Sequence, residues 1–512
     1  MKILRKILLV VFVLFVINAQ GQRKRKINFL KDSIDKYIAQ GMADWNIPGM
    51  AVIIVKDDKV VWMKGYGVKD IETKEPVDEN TLFMIASNSK LFTATALSQL
   101  EYKNKLRLND KVTKYLPDFA LYDTNVTALV TIRDMLSHRI GTKTFQGDFT
   151  FWNANLSRRA IINRMRTLKP PGIFRQDFGY CNSCYLTAGE IIPIVTQQPW
   201  EVYVYDSILM PLGMNNTHML TNGMDQRSNV SKAYTSRYTV VNTELPYDRI
   251  DNIGPAGSMV SNINDLGKWL MMQLDSGRLQ GRRILPWQVL QKTRDMQIAT
   301  GSRKSSAYPT NYRGYGLGLF TEDYNGRQLY YHTGGAFGFF TNVSFVPEEK
   351  LGIAILTNKD NQNFFEALRL QITDAYLEVP YTNRSKTMLN GHLREEQREQ
   401  GEIARWSARA KAASAPMLID QYTGTFTNNT YGRIIITKAS PTMLNVEFKN
   451  HSNLKATLEF MDNDEWMLTY NHKGYGVFSS RFTKDKGRVT SVEMKVTDFL
   501  ELDPYIFIKE GS

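Results

Sequence analysis

Two side chains suited to nucleophilic chemistry stand three residues apart in the stretch "MIASNSKLFTATALSQL". Ser87 and Lys90 form a Ser-x-x-Lys pair, and side chains at this spacing on a helix share one face. A serine hydroxyl becomes a nucleophile once a neighbour takes its proton, and a buried lysine whose charge is disfavoured is suited to that role. Residues 33–36 and 452–455 repeat the spacing, but only Ser87 precedes the apolar residues of a core helix. The simpler interpretation is that Ser87 caps a helix.

Tyr180-Cys181-Asn182 forms a second motif. A tyrosine near a lysine can have a lowered pKa and relay a proton between the serine and a leaving group. The amide of Asn182 can hold both the lysine and a substrate carbonyl. The same pattern at 102–104 and 381–383 falls where we expect no site. The alternative is a loop tyrosine followed by an asparagine that caps the next helix.

His332-Thr333-Gly334-Gly335 follows a strand-like run and forms the third motif. Glycines at the end of a strand allow a substrate backbone to lie against the strand edge. The backbone N–H groups of Gly335 and Ser87 are the predicted donors of an oxyanion hole. The alternative is a glycine-rich turn between strands.

Cys181 and Cys184 are the only cysteines of the chain, and they have the spacing of a redox dithiol. A thioredoxin-like site needs a βαβ context, and the surrounding sequence does not indicate one. A structural disulfide between them stays open, because an exported chain reaches an oxidising compartment.

Charge and composition limit the classes of partner. The 512 residues carry a formal net charge of +13, with basic residues scattered except at 23–26 and in a mixed-charge stretch near 384–411. We therefore expect no nucleic-acid partner. The six histidines show no close pairing with acids or cysteines, so we expect no metal site and no cofactor.

Residues 1–21 resemble a signal peptide, with a basic start, an apolar run at 7–17 and small residues near a cleavage site. The run is shorter than the roughly 20 residues needed to span a bilayer. We expect an exported protein, periplasmic or secreted, without a membrane span in the mature chain. An uncleaved anchor is the alternative.

The order of the predicted elements indicates an α+β fold. An amphipathic helix at 27–45 precedes strand-like runs at 50–56 and 60–64, and a mostly helical region at about 105–300 precedes three late strands. The late strands are predicted at 328–332, 340–346 and 351–357. Strands at both ends of a domain around a helical middle favour one sheet assembled from both ends.

The last part of the chain differs in character. Residues 383–416 are charged and rich in helix formers, which predicts a helical linker after a catalytic domain at 22–382. Residues 417–512 contain repeated short strand-like runs, which predict a small β-barrel or sandwich.

The three motifs follow one another in order, each at an element boundary. On these motifs the chain resembles the serine beta-lactamase and penicillin-binding-protein-like hydrolases, on the side of class C beta-lactamases, D-aminopeptidases and related esterases. The resemblance covers roughly residues 28 to 375. Further stretches look like family landmarks in family order: "TIRDMLSHRIGT" (131–142), "PLGMNNT" (211–217), "GPAGSMVSNINDLGKWL" (254–270) and "YGLGLF" (315–320). The last segment, with "YTGTFTN" at 422–428, looks like the small β-barrel often appended to these hydrolases.

The resemblance implies an antiparallel sheet flanked by a helical region, and roles for the motif residues. Ser87 would be the acylated nucleophile, Lys90 its proton partner, Tyr180 the general base and acid, and Asn182 a support for lysine and substrate. His332 stands where beta-lactamases usually carry the lysine of Lys-Thr-Gly. Because an ordinary histidine is mostly neutral at neutral pH, efficient beta-lactam hydrolysis is less expected here.

The expected function is that of an exported serine hydrolase acting on amides or esters. The favoured substrates are peptides or amides with D-amino acids, or related peptidoglycan fragments, with the pocket shaped by loops such as 143–156. A beta-lactamase or a short-chain esterase of the same family is the alternative. A penicillin-binding sensor with little turnover, or a barrel that binds envelope or peptide ligands, is a further alternative.

Overall fold

The computed structural model describes residues 29–239, 241–416 and 418–511. The predicted signal peptide at 1–21 lies outside these described residues. Within them, a domain built on one large sheet precedes a long helix and a closed barrel. The predicted α+β class with a C-terminal barrel is confirmed.

One antiparallel sheet organises the first domain. Its eight described strands stand in the order β2-β1-β8-β7-β6-β5-β4-β3. The strands are β1 (Gly49–Lys56), β2 (Lys59–Gly67), β3 (Ile298–Gly301), β4 (Arg313–Tyr315), β5 (Phe320–Tyr324), β6 (Arg327–Ala336), β7 (Phe339–Val346) and β8 (Leu351–Thr357). Because β1 pairs with β8 along its length, the two ends of the domain meet in one sheet, as predicted.

The sequence interpretation missed β3, β4 and β5. These strands are only three to five residues long, and they contain glycine and charged residues that weaken the strand pattern. Only β5 pairs directly with the longer β6, and β4 and β3 are then added in turn, each on its inner neighbour. Sheet neighbours rather than local propensity therefore form this edge.

Both faces of β1 are buried, which explains its continuous apolar run. Met50, Val52 and Ile54 join one core cluster, while Ala51, Ile53 and Val55 join the other. Successive strand residues point to opposite faces, so the run must satisfy two layers. Helices α1 (Ile34–Asp44) and α5 (Phe364–Tyr376) cover one face, and α4 (Ile263–Leu274) packs on the other.

The helical region between β2 and β3 carries the candidate site. Its longer helices are α2 (Ser89–Tyr102), α3 (Asn182–Gly189) and α4, and a helix at Trp287–Arg294 follows them. The shorter helices are Val112–Tyr115, Thr124–Leu129, Ile132–Leu136, Asp148–Phe151, Arg158–Arg164, Ile192–Thr196, Trp200–Val204, Met210–Leu212 and Gly254–Gly257. Two-stranded ribbons pair Phe83–Met84 with Val260–Ser261, Ala233–Thr235 with Thr243–Leu245, and Arg278–Leu279 with Arg282–Arg283.

The predicted charged linker contains helix α6 (Arg384–Ala412). Arg384 at its start pairs with Asp374 at 2.7 Å, and Arg409 near its end binds Asp462 of the barrel at 2.6 Å. The helix is therefore tied to both domains. Among the described residues, no helix is both long enough and apolar enough to cross a membrane.

The C-terminal strands close into a barrel. They are β9 (Gly424–Asn428), β10 (Gly432–Ser440), β11 (Met443–Phe448), β12 (Lys455–Asp462), β13 (Glu465–Tyr470), β14 (Val477–Asp485), β15 (Arg488–Met494) and β16 (Tyr505–Lys509). β16 pairs with β9 and closes the ring. Closure removes the exposed strand edges that an open sheet leaves.

The barrel is joined to the first domain through Phe149. This fully buried ring packs on barrel aromatics, with centroid distances of 4.8 Å to Tyr431 and 5.5 Å to Tyr505. Nearby, His451 Nε2 donates to the carbonyl of Trp152 at 2.7 Å. Loop 143–156 of the first domain is thus the segment on which the barrel docks.

We expect Phe149→Ala to lower the apparent free energy of unfolding by about 3–5 kcal/mol, because it empties an aromatic cluster shared by both domains. Urea denaturation followed by tryptophan fluorescence measures this loss. Tyr122→Ala is the control: its side chain is 53% exposed, so a change of about 0.5 kcal/mol or less is expected. Equal losses for the two variants would contradict the docking role of Phe149.

Candidate active site

Ser87 lies in one turn of 3₁₀ helix that immediately precedes an α-helix. The turn Ala86–Asn88 leads directly into α2. The N-cap position of α2 is occupied by Asn88, so the interpretation of Ser87 as a plain helix cap is wrong. Ala86 has a φ of +45°, a left-handed conformation that costs a residue with a side chain roughly 1–3 kcal/mol.

Hydrogen bonds fix this strained turn. Ser89 Oγ donates to the carbonyl of Ala86 at 2.7 Å and accepts the N–H of Met259 at 3.0 Å. Asn88 Nδ2 donates to the carbonyl of Ile85 at 3.1 Å. The position of the Ser87 hydroxyl is therefore set by buried neighbours on both sides.

Lys90 reaches Ser87 from the first turn of α2. Its Nζ lies 3.0 Å from Ser87 Oγ, 2.6 Å from Asn182 Oδ1 and 2.7 Å from the carbonyl oxygen of Ala256. Its side chain is completely buried, and this burial lowers the lysine pKa to about 7. A substantial fraction of the amine is then uncharged at neutral pH.

The three partners of Lys90 suit an uncharged amine that takes a proton from serine. The carbonyl of Ala256 and the oxygen of Asn182 can only accept, so they orient two N–H bonds of the amine. The lone pair then faces Ser87 Oγ. The landmark stretch "GPAGSM" thus contributes a backbone carbonyl to the site.

Asp148 determines which way the amide of Asn182 points. Asn182 begins α3, and its Nδ2 donates to Asp148 Oδ2 at 2.6 Å, which leaves the amide oxygen for Lys90. Burial raises the pKa of Asp148 well above its ordinary value. The sequence interpretation missed this residue, and the available signal was a single acid within the apolar stretch "GDFTFW".

The Tyr180 hydroxyl is buried close to Ser87. It has no hydrogen-bond partner of normal geometry among the described residues, although its proximity to Ser87 partly offsets the effect of burial on its pKa. Burial raises the pKa of Tyr180 well above its ordinary value. The expectation that lysine would lower this pKa is therefore wrong, and the resting tyrosine is a neutral proton donor.

His138 supports the segment that carries Tyr180. Its Nδ1 accepts the N–H of Cys181 at 3.0 Å, and its ring lies 4.3 Å from the ring of Tyr180. Burial lowers the histidine pKa well below its ordinary value. A neutral imidazole therefore holds the backbone of the Tyr-x-Asn motif.

The two cysteines are free, buried thiols in this structure, so the disulfide that the sequence left open is not formed. Cys181 occupies the N-cap position of α3, and its sulfur lies 3.2 Å from the hydroxyl of Ser183. Helix and hydrogen bonds, rather than a covalent link, hold this turn.

His332 is buried and uncharged. Its Nδ1 donates to the carbonyl of Thr333 at 2.6 Å, so its Nε2 accepts from the hydroxyl of Tyr315 at 3.2 Å. Burial, together with the charge of Lys90, lowers the pKa of His332 to about 3. The position therefore lacks the cation that a lysine would supply.

The two glycines after Thr333 allow close packing. A Cβ on Gly334 would lie 2.0 Å from the carbonyl oxygen of Ile85, so only glycine lets β6 approach the Ser87 turn. A Cβ on Gly335 would lie 2.7 Å from the ring of Phe499. Ser87 and Gly335 line one cavity, as an oxyanion hole between them requires.

The cavity has a volume of about 340 Å³ and contains all the predicted site residues except Lys90 in its lining. Loop 143–156 contributes to it, as expected, through Thr144, Phe145, Asp148 and Trp152. The remaining wall is aromatic: Phe178, Phe320, Phe340, Phe365 and Phe499. The sequence gives no signal that these rings line a cavity, because buried aromatic residues are ordinary members of a protein core.

Metal chemistry has no evident ligand set here. Within the described part of the chain, no group of three or more His, Cys, Asp or Glu side chains is arranged to hold a metal ion.

The chain is similar in sequence to known proteins over about two thirds of its length. The chain is 29% identical over 363 residues to Protein flp of Staphylococcus aureus (strain N315), with 68% of each chain covered. It is 25% identical over 382 residues to the unguisins hydrolase ungD of Aspergillus violaceofuscus, covering 69% of this chain and 66% of that protein.

A solved structure shares the whole fold, including the barrel region. The octameric penicillin-binding protein homologue from Pyrococcus abyssi superposes with a TM-score of 0.59 at 20% identity, covering 93% of this chain and 99% of the other. At this identity the likeness concerns the fold. The Beta-lactamase family model matches residues 34–377, more than half of the sequence. The chain belongs to the Beta-lactamase family.

Proposed function

We propose that this protein is a serine hydrolase that cleaves amide or ester bonds through an acyl-enzyme on Ser87. The observation that carries the proposal is the contact between Lys90 Nζ and Ser87 Oγ at 3.0 Å, with the lysine pKa lowered to about 7 by burial. A base whose pKa lies near the working pH transfers protons efficiently.

Acylation begins with proton transfer from Ser87 to Lys90. The serine oxygen attacks the substrate carbonyl carbon, and the carbonyl electron pair moves onto its oxygen. The backbone N–H groups of Ser87 and Gly335 would hold this negative charge, because fixed donors aimed at the developing oxyanion lower the barrier.

Collapse of the intermediate expels the leaving group. Tyr180 would donate its proton to the departing nitrogen or oxygen and regain one from the Lys90 ammonium. The raised tyrosine pKa supports this order, since the neutral hydroxyl is the resting form. Lys90 then takes a proton from water, whose oxygen attacks the acyl carbonyl carbon. The bond to Ser87 Oγ breaks, the proton returns to that oxygen, and the acid is released.

The substrate proposed is a short peptide or amide, including those with D-amino acids, or a related envelope fragment. A cavity of about 340 Å³ suits one or two residues of such a substrate. A relative named as a hydrolase supports turnover over passive binding. Export directed by residues 1–21 belongs to the same proposal, because it would bring the enzyme to envelope substrates.

Short-chain ester hydrolysis is a second candidate, favoured by a described cavity wall that offers no cation. Among the described residues that line it, none is a lysine or an arginine, and His332 is neutral. A substrate carboxylate would therefore meet no cation at the place where a Lys-Thr-Gly motif supplies one. Neutral esters and amides avoid this unfavourable desolvation.

Ser87→Ala is expected to abolish covalent labelling by a fluorophosphonate probe, because the adduct forms on the nucleophilic oxygen. Intact-protein mass spectrometry and peptide mapping detect the adduct. Ser452→Ala, in another Ser-x-x-Lys match, is the matched control and should label like the unmodified protein. Labelling that survives in Ser87→Ala would remove the nucleophile assignment.

The acylation rate is expected to rise with pH through about 7 and then level off. Below that pH Lys90 is an ammonium and cannot accept the serine proton, whereas above it the free amine predominates. The measurement is the rate of probe labelling as a function of pH. Lys90→Gln should slow labelling by roughly 10²–10⁴-fold.

Lys455→Gln is the control for this experiment, because Lys455 is exposed and stands at the equivalent position of the unrelated 452–455 motif. Its rate and pH profile should match those of the unmodified protein. A flat profile for the unmodified protein, or a full rate in Lys90→Gln, would contradict a lysine base.

A substrate panel separates the two candidates and the beta-lactamase alternative. D-amino-acid amides, D-Ala-D-Ala peptides, short acyl esters and nitrocefin are compared by kcat/KM. We expect neutral amides and esters to exceed the carboxylate-bearing D-Ala-D-Ala peptides and nitrocefin by about tenfold or more, for want of a cationic contact. Dominant nitrocefin turnover would overturn this order.

A further inference from the structure

The loop between β15 and β16 leaves the barrel and reaches the cavity of the other domain. Its Phe499 is partly exposed and lines the cavity that also contains Ser87 and Gly335. We propose that Phe499 forms the wall of an apolar subsite for the group attached to the scissile carbonyl, so that the barrel sets acyl specificity. This inference rests on the proposed function and names its substrate class: acyl groups with an aromatic or branched aliphatic side chain.

The position of the Phe499 ring identifies what it faces. The ring lies against the Cα of Gly335, where an added Cβ would be 2.7 Å from it. Its other neighbours are aromatic, with centroid distances of 5.5 Å to Phe337, 5.9 Å to Phe340 and 6.1 Å to Trp152. A substrate group at this wall meets rings and no charge.

The proposed roles of Tyr180 and Gly335 distinguish two parts of the aromatic cavity lining. Tyr180, the proposed proton donor to the leaving group, lies beside Phe145 and His332, with centroid distances of 5.8 and 6.0 Å. The leaving group therefore belongs on that side. Phe499 stands beside Gly335, the proposed donor to the carbonyl oxygen, so its wall faces the acyl portion.

Several contacts hold the Phe499 loop in place. Glu501 Oε2 accepts the N–H of Gly147 at 2.8 Å and the hydroxyl of Tyr505 at 3.1 Å. Lys495 Nζ donates to the carbonyl of Leu502 at 2.7 Å, and Lys143 pairs with Asp503 at 2.6 Å. A ring on a fixed loop can discriminate between acyl groups, because substrate binding carries little entropy cost for ordering that loop.

The test compares two esters with the same leaving group, p-nitrophenyl acetate and p-nitrophenyl phenylacetate, in the full-length protein. Phe499→Ala is expected to lower kcat/KM for the phenylacetate by about tenfold or more, while the acetate value stays within about twofold. Phe499→Leu keeps an apolar side chain. Its kcat/KM for the phenylacetate is expected to lie between the values of the unmodified protein and of Phe499→Ala. The ratio of the two kcat/KM values is the readout, because a general loss of folded enzyme lowers both equally.

Phe460→Ala is the matched control. Phe460 belongs to barrel strand β12 and packs on Trp466 with a centroid distance of 5.1 Å, and it is not among the residues lining the cavity. Its ratio should equal that of the unmodified protein.

An unchanged ratio in Phe499→Ala, or an equal fall for both esters, would overturn the subsite. If Ser87→Ala still loses probe labelling in that case, the proposed hydrolase stands and only the subsite fails. If the unmodified protein neither takes up the probe nor cleaves either ester, the proposed function fails and the subsite fails with it.

Discussion

The site depends on one buried amine whose charge the protein interior disfavours. Lys90 is surrounded by protein, and a charge in such a place costs several kcal/mol unless it is paired or neutralised. Two oxygen acceptors, from Asn182 and Ala256, contact the lysine Nζ. Among the described residues, no carboxylate is in direct contact with it. With these partners the lysine pKa stays near 7, whereas a directly bonded carboxylate would raise it and keep the amine protonated at neutral pH.

The amide that holds Lys90 needs its own support, and that support extends to the barrel. Asn182 can present its oxygen to the lysine only if its NH₂ group has another acceptor, which is Asp148. The N–H groups of Gly147 and Phe149, on either side of Asp148, both donate to Glu501 of the barrel loop. Asp148 is thus joined to the barrel loop through its own backbone, whose neighbouring N–H groups are held by Glu501. The link from Lys90 to the barrel consists of two hydrogen bonds, through Asn182 and Asp148, followed by this short stretch of backbone and its bonds to Glu501.

This connectivity explains what the sequence could and could not predict. The Ser-x-x-Lys, Tyr-x-Asn and His-Thr-Gly-Gly motifs are local patterns at element boundaries, and their residues meet in the cavity. The α+β class and the C-terminal barrel were predicted from the pattern of strand-like runs and helix formers, and the sheet topology agrees with them. Phe499 carries no such local signal, and Asp148 has only that of a single acid in an apolar stretch, because their roles arise from contacts with residues far away in the sequence. The direction of the Tyr180 pKa shift could not be predicted from the sequence either, because it depends on burial and not on residue type.

The opposite pKa shifts of Lys90 and Tyr180 fit the parts in proton transfer that we propose for them. Burial favours the neutral form of each group, and therefore lowers the pKa of the amine and raises that of the phenol. Two titratable groups in one dry site thus become a base and an acid without any direct ion pair between them. The same burial keeps His332 uncharged, and none of the described residues that line the cavity is a lysine or an arginine. An aromatic cavity without a cation in its wall, around a base of pKa about 7, is suited to attack on uncharged amides and esters, and it offers a substrate carboxylate no compensation for leaving water.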